Sequence, residues 1–172
     1  MAVPEAVIRP AVPADLTAVA EIYAHYVSHT VITFDQVPPT VAGWRRRLDD
    51  LTGRDLPFLV ADLDGDVAGY AYAAPWRPKP AYRYTVEDSI YLAPDRIGAG
   101  LGGALLGTLL PRCAQAGIRQ LIAVIADTGN GASTALHRRF GFAHAGRLTG
   151  VGYKHGRSVD TMLMQRDLTT NP

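Results

Sequence analysis

The stretch from Thr85 to Gly103, T-V-E-D-S-I-Y-L-A-P-D-R-I-G-A-G-L-G-G, limits what this chain can fold into more than any other. A strand-like apolar run, Ser89 to Leu92, leads through a short turn into Gly98, Gly100, Gly102 and Gly103. A leucine-rich helical pattern begins at once, at Leu101 and Leu105. Strand, glycine loop and helix N-terminus in that order make an anion site. Glycines let the backbone approach a phosphate, unpaired N–H groups point at it, and the helix dipole favours its charge. Glu87 stands just upstream on the same strand. The segment is suited to hold a phosphorylated cofactor and to set a base beside it.

The whole chain of 172 residues is read as one domain, long enough to bury a real core. Hydrophobic residues make up 48% and charged ones 19%, which excludes a disordered chain. A net charge of +1 gives no case for a nucleic-acid partner. The single Cys113 excludes an internal disulfide and suits a reducing compartment. Residues 1–7 show no basic segment followed by a long apolar one. No apolar run reaches about 18 residues, so no membrane span is expected. A cytoplasmic protein is the expectation.

Taken in order, Ala6 to Arg9 reads as a strand, and Pro13 to Asp15 open a helix. Leu16, Val19, Ile22, Tyr23, Tyr26 and Val27 give that helix one apolar face. Residues 29–37 read as a loop, and Pro38-Pro39-Thr40 start a second helix through Leu51. Arg45, Arg46 and Arg47 fan across its faces and read as solvated surface rather than a phosphate clamp. Pro57 to Asp62, a turn at Asp64-Gly65-Asp66, and Val67 to Ala74 read as a hairpin. Residues 75–81 form a proline-rich loop, and Tyr82 to Leu92 a long strand. The helix after the glycines ends near Gly117, with a kink expected at Pro111. Gln120 to Ala126 is an apolar run expected to be buried on both faces, parallel to the strand before the glycines. A short helix, Ala132 to Phe140, and two strands, Phe142 to Tyr153 and Val159 to Leu168, complete a mixed α/β sheet.

Gly98, Gly100 and Gly103 also fit the dinucleotide fingerprint G-x-G-x-x-G, with Asp127 ending the next strand. Context argues against it. Residues 93–97 separate the strand from the first glycine, and too little chain follows to complete a second nucleotide-binding half.

With this order of elements the chain resembles the Gcn5-related N-acetyltransferases (GNAT) over nearly its full length. G-L-G at 100–102 supplies the glycines of their [R/Q]-x-x-G-x-[G/A] motif, but Ile97 stands at the Arg/Gln position, with Arg96 one place early. A second block, N-x-x-S-x-x-L-H-x-x-x-G-F from Asn130 to Phe142, is similar as well. A-Y-A-A-P-W-R at 71–77, A-Y-R-Y-T-V-E-D-S-I-Y at 81–91, A-V-I at 123–125 and G-Y-K-H-G at 152–156 resemble the subgroup acting on phosphinothricin and methionine sulfone or sulfoximine. The resemblance implies a largely antiparallel sheet of about seven strands, splayed between the fourth and fifth, with about four helices. It also implies acetyl-CoA as cosubstrate, no metal, a small amino-acid substrate and a homodimer.

Acetyl transfer to an amine needs a base for the amine proton, and Glu87 is the candidate. Unpaired N–H groups of Ile90, Tyr91 and Leu92 are expected at the splay, bonding the pantetheine arm and the thioester oxygen, as the resemblance implies. Gly98, Ala99, Gly100, Leu101, Gly102 and Gly103 are expected to cradle the diphosphate, and Asn130 and Ser133 to contact the cofactor. His137 occupies the place of a tyrosine that protonates the thiolate in many relatives, and an imidazole can act as acid or second base. Arg77 and Arg83 are candidates to clamp a carboxylate. Trp76 and Tyr82 would wall the side-chain pocket, and Phe34 would cover it. Cys113 lies on an apolar helix stripe and reads as a core thiol, so direct transfer in a ternary complex is expected. Other amines, such as a polyamine or a protein N-terminus, and a non-catalytic coenzyme A-binding role remain open at this point.

Overall fold

In the computed structural model of the chain, residues 5–170 are described. Residues 1–4, part of the N-terminal stretch in which no leader pattern is expected, lie outside that range. The order is β1 (Val7–Pro10), α1 (Leu16–His29), α2 (Val41–Gly53), β2 (Phe58–Leu63), β3 (Asp66–Pro75), β4 (Thr85–Leu92), α3 (Leu101–Gln115), β5 (Gln120–Ala126), α4 (Ala132–Arg139), β6 (Ala143–Lys154) and β7 (Arg157–Asp167). This is the succession the sequence led us to expect. The strands form one sheet in the order β1-β2-β3-β4-β5-β7-β6. Only β4 and β5 run parallel. A parallel pair needs a crossover, and α3 is it.

Local chemistry sets the boundaries. Val12 N–H donates to the Asp15 carboxylate at 2.8 Å, and Arg9 holds the same carboxylate at 2.8 Å, fixing the turn into α1. The Thr40 hydroxyl accepts from Gly43 N–H at 3.1 Å and caps α2. α3 runs continuously through Pro111. Its buried stripe is Leu101, Leu105, Leu106, Leu109 and Cys113.

Strand alternation divides the sheet into two faces. On one, Tyr70, Tyr72 and Tyr91 pack with Tyr23 of α1 and Trp44 of α2 in an aromatic cluster. On the other, Ala71, Ala73 and Val86 are buried, and so are Leu105, Leu109 and Cys113 of α3. In register, Glu87 lies opposite Ala74 and Ser89 opposite Tyr72, so Glu87 points to the aromatic side. Asp88 points to the α3 and α4 side.

Two expectations are corrected. The long strand begins at Thr85, not Tyr82, because Pro80–Tyr82 form a 3-10 turn. The Tyr84 ring then carries both the Arg83 and the Arg119 guanidiniums, each 4.6 Å from its centroid. Nor is β5 buried on both faces: Leu121 and Ala123 are buried while Val124 is 38% exposed. The helices α1 and α2 lie against β2, β3 and β4.

Candidate active site

The site is made by a ladder that ends early. Thr85 pairs with Gln120, Val86 with Leu121 and Glu87 with Ile122, and there the β4–β5 pairing stops. β4 continues along β3 to the Leu92–Gly69 pair, and β5 continues along β7 to the Ala126–Thr161 pair. A wedge-shaped gap opens between them. Trp76 N–H donates to the Thr85 carbonyl and Ala93 N–H to the Ala68 carbonyl, so odd-numbered β4 residues bond toward β3. Alternation then turns the main chain of Ile90 and Leu92 into the gap. The Leu92 carbonyl accepts from the Tyr26 hydroxyl at 2.5 Å, while its N–H faces the opening. The Tyr91 amide, expected in the gap, is turned toward β3, a correction that follows from the strand's parity.

The gap continues into a cavity of about 540 Å³. Glu87 and Asp88 lie at one end, Ile97, Gly98, Gly100, Gly102 and Gly103 at the other, with Asn130, Ser133 and His137 along the side. Gly98 and Gly100 have φ of +86° and +80°, a region that side chains disfavour, and an added Cβ at either would meet open space. Gly100 caps α3 with no side chain of its own, so the first-turn amides are bare. Ala99 and Leu101 do not line the cavity; the Leu101 side chain is in the core. Ile97 is 64% exposed and presents an apolar wall where a polar contact was the family expectation. Arg96 is turned to Asp95, 3.6 Å away, and does not replace it.

Glu87 and Ser89 line a second cavity of about 440 Å³, on the aromatic side of the sheet, together with Arg46, Arg47, Tyr72 and Pro75. Glu87 thus lines both the interstrand gap and the cavity on the aromatic side. Burial pushes its carboxyl above the ordinary range, the Asp88 charge adds to this, and Arg77 opposes it.

His137 is almost fully buried and has no free nitrogen. Its Nε2 lies 2.8 Å from Asp88 Oδ2 and its Nδ1 2.7 Å from the Ser133 carbonyl oxygen. Burial disfavours the charged ring, but the Asp88 bond and charge, helped by the Ser133 carbonyl, outweigh it and raise the pKa. An imidazole so engaged is not poised as a free acid, which redirects the sequence expectation for this residue. Asp88, its partner, was missed. A carboxylate on the inward side of an apolar strand, between Val86 and Ile90, was the available signal.

The candidate substrate residues are less gathered. Phe34, Trp76, Arg77, Tyr82 and Arg83 do not line either cavity that holds Glu87. The Phe34 ring sits against Gly152 of β6, where a Cβ would strike it. The Arg77 guanidinium stacks on Trp76 at 4.9 Å, and Arg83 on Tyr84. Conversely, the arginines read as solvated surface include two, Arg46 and Arg47, that face Glu87 across the second cavity. Cys113 is fully buried and its thiol is pushed up to about 12 by burial and by Asp88. Among the described residues no cluster of His, Cys, Asp and Glu is arranged to hold a metal. No described helix is long and apolar enough to cross a membrane.

Comparison with known proteins agrees with this architecture. Residues 8–163 match the acetyltransferase (GNAT) domain family. The chain is 51% identical over 154 residues to a phosphinothricin N-acetyltransferase of Alcaligenes faecalis, covering 90% of this chain and 78% of that protein. It is 40% identical over 162 residues to an L-methionine sulfoximine/L-methionine sulfone acetyltransferase of Pseudomonas aeruginosa, covering 94% of each. A crystal structure of a phosphinothricin acetyltransferase from Sinorhizobium meliloti in complex with AcCoA superposes with a TM-score of 0.90. It shares 46% identity and covers 97% of this chain and 92% of that one. The parted β4 and β5, the bare glycine turn before α3 and these likenesses together make this chain a member of the GNAT acetyltransferase family.

Proposed function

We propose that this chain is an acetyl-CoA-dependent enzyme that acetylates the α-amine of small amino acids with a polar tetrahedral side-chain group, of the phosphinothricin, methionine sulfone and methionine sulfoximine kind. The observation that carries this is Glu87, a half-buried carboxylate shared by the cavity of the interstrand gap and the cavity on the aromatic side of the sheet. The substrates named for the relatives support the choice of amine.

The cleft fits acetyl-CoA. Two left-handed glycines with open space where a Cβ would stand leave a cradle for a diphosphate, and the amides of residues 98–103 at the start of α3 would hold it. The cosubstrate, when bound, supplies an activated acetyl group. The Ile90 and Leu92 main chain would hold the pantetheine arm and the carbonyl oxygen, where a fixed N–H counters developing negative charge. Asn130 and Ser133 would border the same arm. Glu87 takes the proton of the amine, directly or through a water. Its raised pKa brings it nearer the working pH, where a general base serves best. The inertness of Cys113 favours direct transfer over an acyl-enzyme. His137 serves as a positioning residue that ties α4 to β4. Arg77, whose charge reaches Glu87, would receive the α-carboxylate, with Trp76 beside it. Tyr82, Arg83 and Phe34 would act at the rim.

A cytoplasmic homodimer is part of the reading. β6 is exposed along most of its length, with Leu148, Val151 and Tyr153 46%, 56% and 69% exposed, a surface that a second copy would cover. The function is tested by thiol release from acetyl-CoA over a panel of phosphinothricin, methionine sulfone, methionine sulfoximine, spermidine and an N-terminal peptide. Release with the three amino acids is expected. Release only with the polyamine or the peptide overturns the substrate class.

A further inference from the structure

We infer that Arg47, with Arg46 beside it, reads a negatively charged side-chain head group on the amino-acid substrate; this rests on the amine-acetylation reading above. The Arg47 guanidinium is held before any ligand arrives. It lies 5.1 Å from the Trp44 ring centroid and 5.3 Å from that of Tyr72, and its Nη1 donates to the Tyr72 hydroxyl at 2.6 Å. Stacking occupies the face of a guanidinium and leaves its edge donors available for an acid. The neighbouring arginines, Arg45 within α2 and Arg54 just past its end, are spent on carboxylates. Arg45 holds Asp49, and Arg54 holds both oxygens of Asp50 at 3.0 and 3.1 Å. Among the described residues Arg46 and Arg47 have no carboxylate partner, and both line the cavity that ends at Glu87.

Asp50 of α2 also lines the cavity but is paired with Arg54, so the unpaired charges are Arg46 and Arg47 on the α2 side and Glu87 on the strand side. A zwitterion with its amine at Glu87 and an acid at the far end matches this arrangement. Spacing selects which acid. Arg47 bonds the Tyr72 hydroxyl, and the Tyr72 backbone lies opposite Ser89, one same-face step along β4 from Glu87. Such a step sets Cα positions about 7 Å apart, so the two anchoring positions are offset along the strand by that order. An α-carboxylate sits too near the amine to span that offset, whereas a phosphinate at the end of the side chain reaches. The sulfone of methionine sulfone reaches too but carries no charge.

Steady-state thiol release with the full-length protein separates the possibilities. With Arg47→Met, the KM for phosphinothricin is expected to rise at least about tenfold, the weight of a charge-assisted hydrogen bond. Its kcat should change little, and the KM for methionine sulfone should stay within about twofold. Arg47→Lys keeps the charge without the paired donors and is expected between the two, so the inference stays testable if the Met variant folds poorly. Arg45→Met serves as a neutral control. Equal increases for both substrates, or none, overturn the inference. Calorimetric titration of phosphinothricin into the coenzyme A-bound protein distinguishes this from failure of the function itself. Binding that Arg47→Met weakens, without turnover by the wild type, supports Arg47 and sinks the acetylation reading. A wild type that does not bind phosphinothricin overturns the inference.

Discussion

His137 Nε2 lies 2.8 Å from Asp88 Oδ2, joining a helix residue to a strand residue 49 positions earlier across the side of the cofactor cleft. The Ser133 carbonyl on the other nitrogen can only accept, so Nδ1 carries a proton. The Asp88 bond and charge favour the doubly protonated ring, and both side chains are nearly buried.

Removing one member leaves the other buried and unpaired. His137→Ala or Asp88→Ala should each lose about 3 kcal/mol of stability, and the double variant less than the sum. Urea denaturation of the four proteins measures this. The pH dependence has a definite sign. The folded pKa of His137 is raised, so its contribution is complete below the unfolded value of about 6.5 and fades as pH rises through the folded value. The gap in melting temperature between wild type and His137→Ala should narrow as the solution is made alkaline. A gap that widens would contradict the protonated pair.

Glu87→Gln should lower kcat by about two orders of magnitude or more while leaving the KM for acetyl-CoA nearly unchanged. In the wild type, activity should fall as pH drops through the raised carboxyl pKa, and the variant should lose that limb. The stability consequence runs the other way. A carboxyl whose folded pKa is raised favours folding only while protonated, and its contribution is lost as pH rises from the unfolded to the folded pKa. At neutral pH the Gln variant should therefore melt higher than the wild type, the trade often seen at working sites.

Gly100→Val should strain a backbone held at φ +80° by about 1 kcal/mol or more and crowd the cradle. The KM for acetyl-CoA should rise with kcat less affected, as read from initial rates at saturating amine. A variant with unchanged KM would remove the glycine turn from the binding of the cosubstrate.

Gly152→Ala places a methyl group against the Phe34 ring and should push the segment after α1 away from β6. Lys154 is buried nearby and donates to the Thr33 carbonyl at 2.8 Å, so the same shift strains that contact. A loss of about 1–3 kcal/mol in chemical denaturation is expected, the usual effect of overpacking.

Cys113 should resist iodoacetamide in the folded protein and react only on unfolding, because its thiol is fully buried and pushed up to about 12. Cys113→Ala should retain turnover. Mass spectrometry after incubation with acetyl-CoA should find no acetylated cysteine.

Periodicity and turn chemistry exposed most of the fold. The apolar stripe of α1, the Asp64-Gly65 turn and the glycines before α3 each have a local cause, so single stretches of chain suffice to read them. Glu87 and the cleft-lining glycines were legible for the same reason. What escaped depends on partners distant in the chain. Arg47 is exposed, as its sequence suggested, but the Tyr72 that orients it is 25 residues away and was not legible. His137 looked available because Asp88 is on another element. The Tyr91 amide was misassigned because strand parity is set by the pairing with β3, which the sequence of β4 alone does not reveal.

The short ladder between β4 and β5 has a mechanical meaning. Three residue pairs join the leaf β1–β4 to the leaf β5–β7, and Glu87 belongs to the last of them. The carboxylate therefore rides on the spine of an open book. A molecule seated in the gutter would touch both leaves and stiffen them together, so amide exchange should slow on both sides of the spine at once, in Val124 and Ile125 as well as in Ile90 and Leu92.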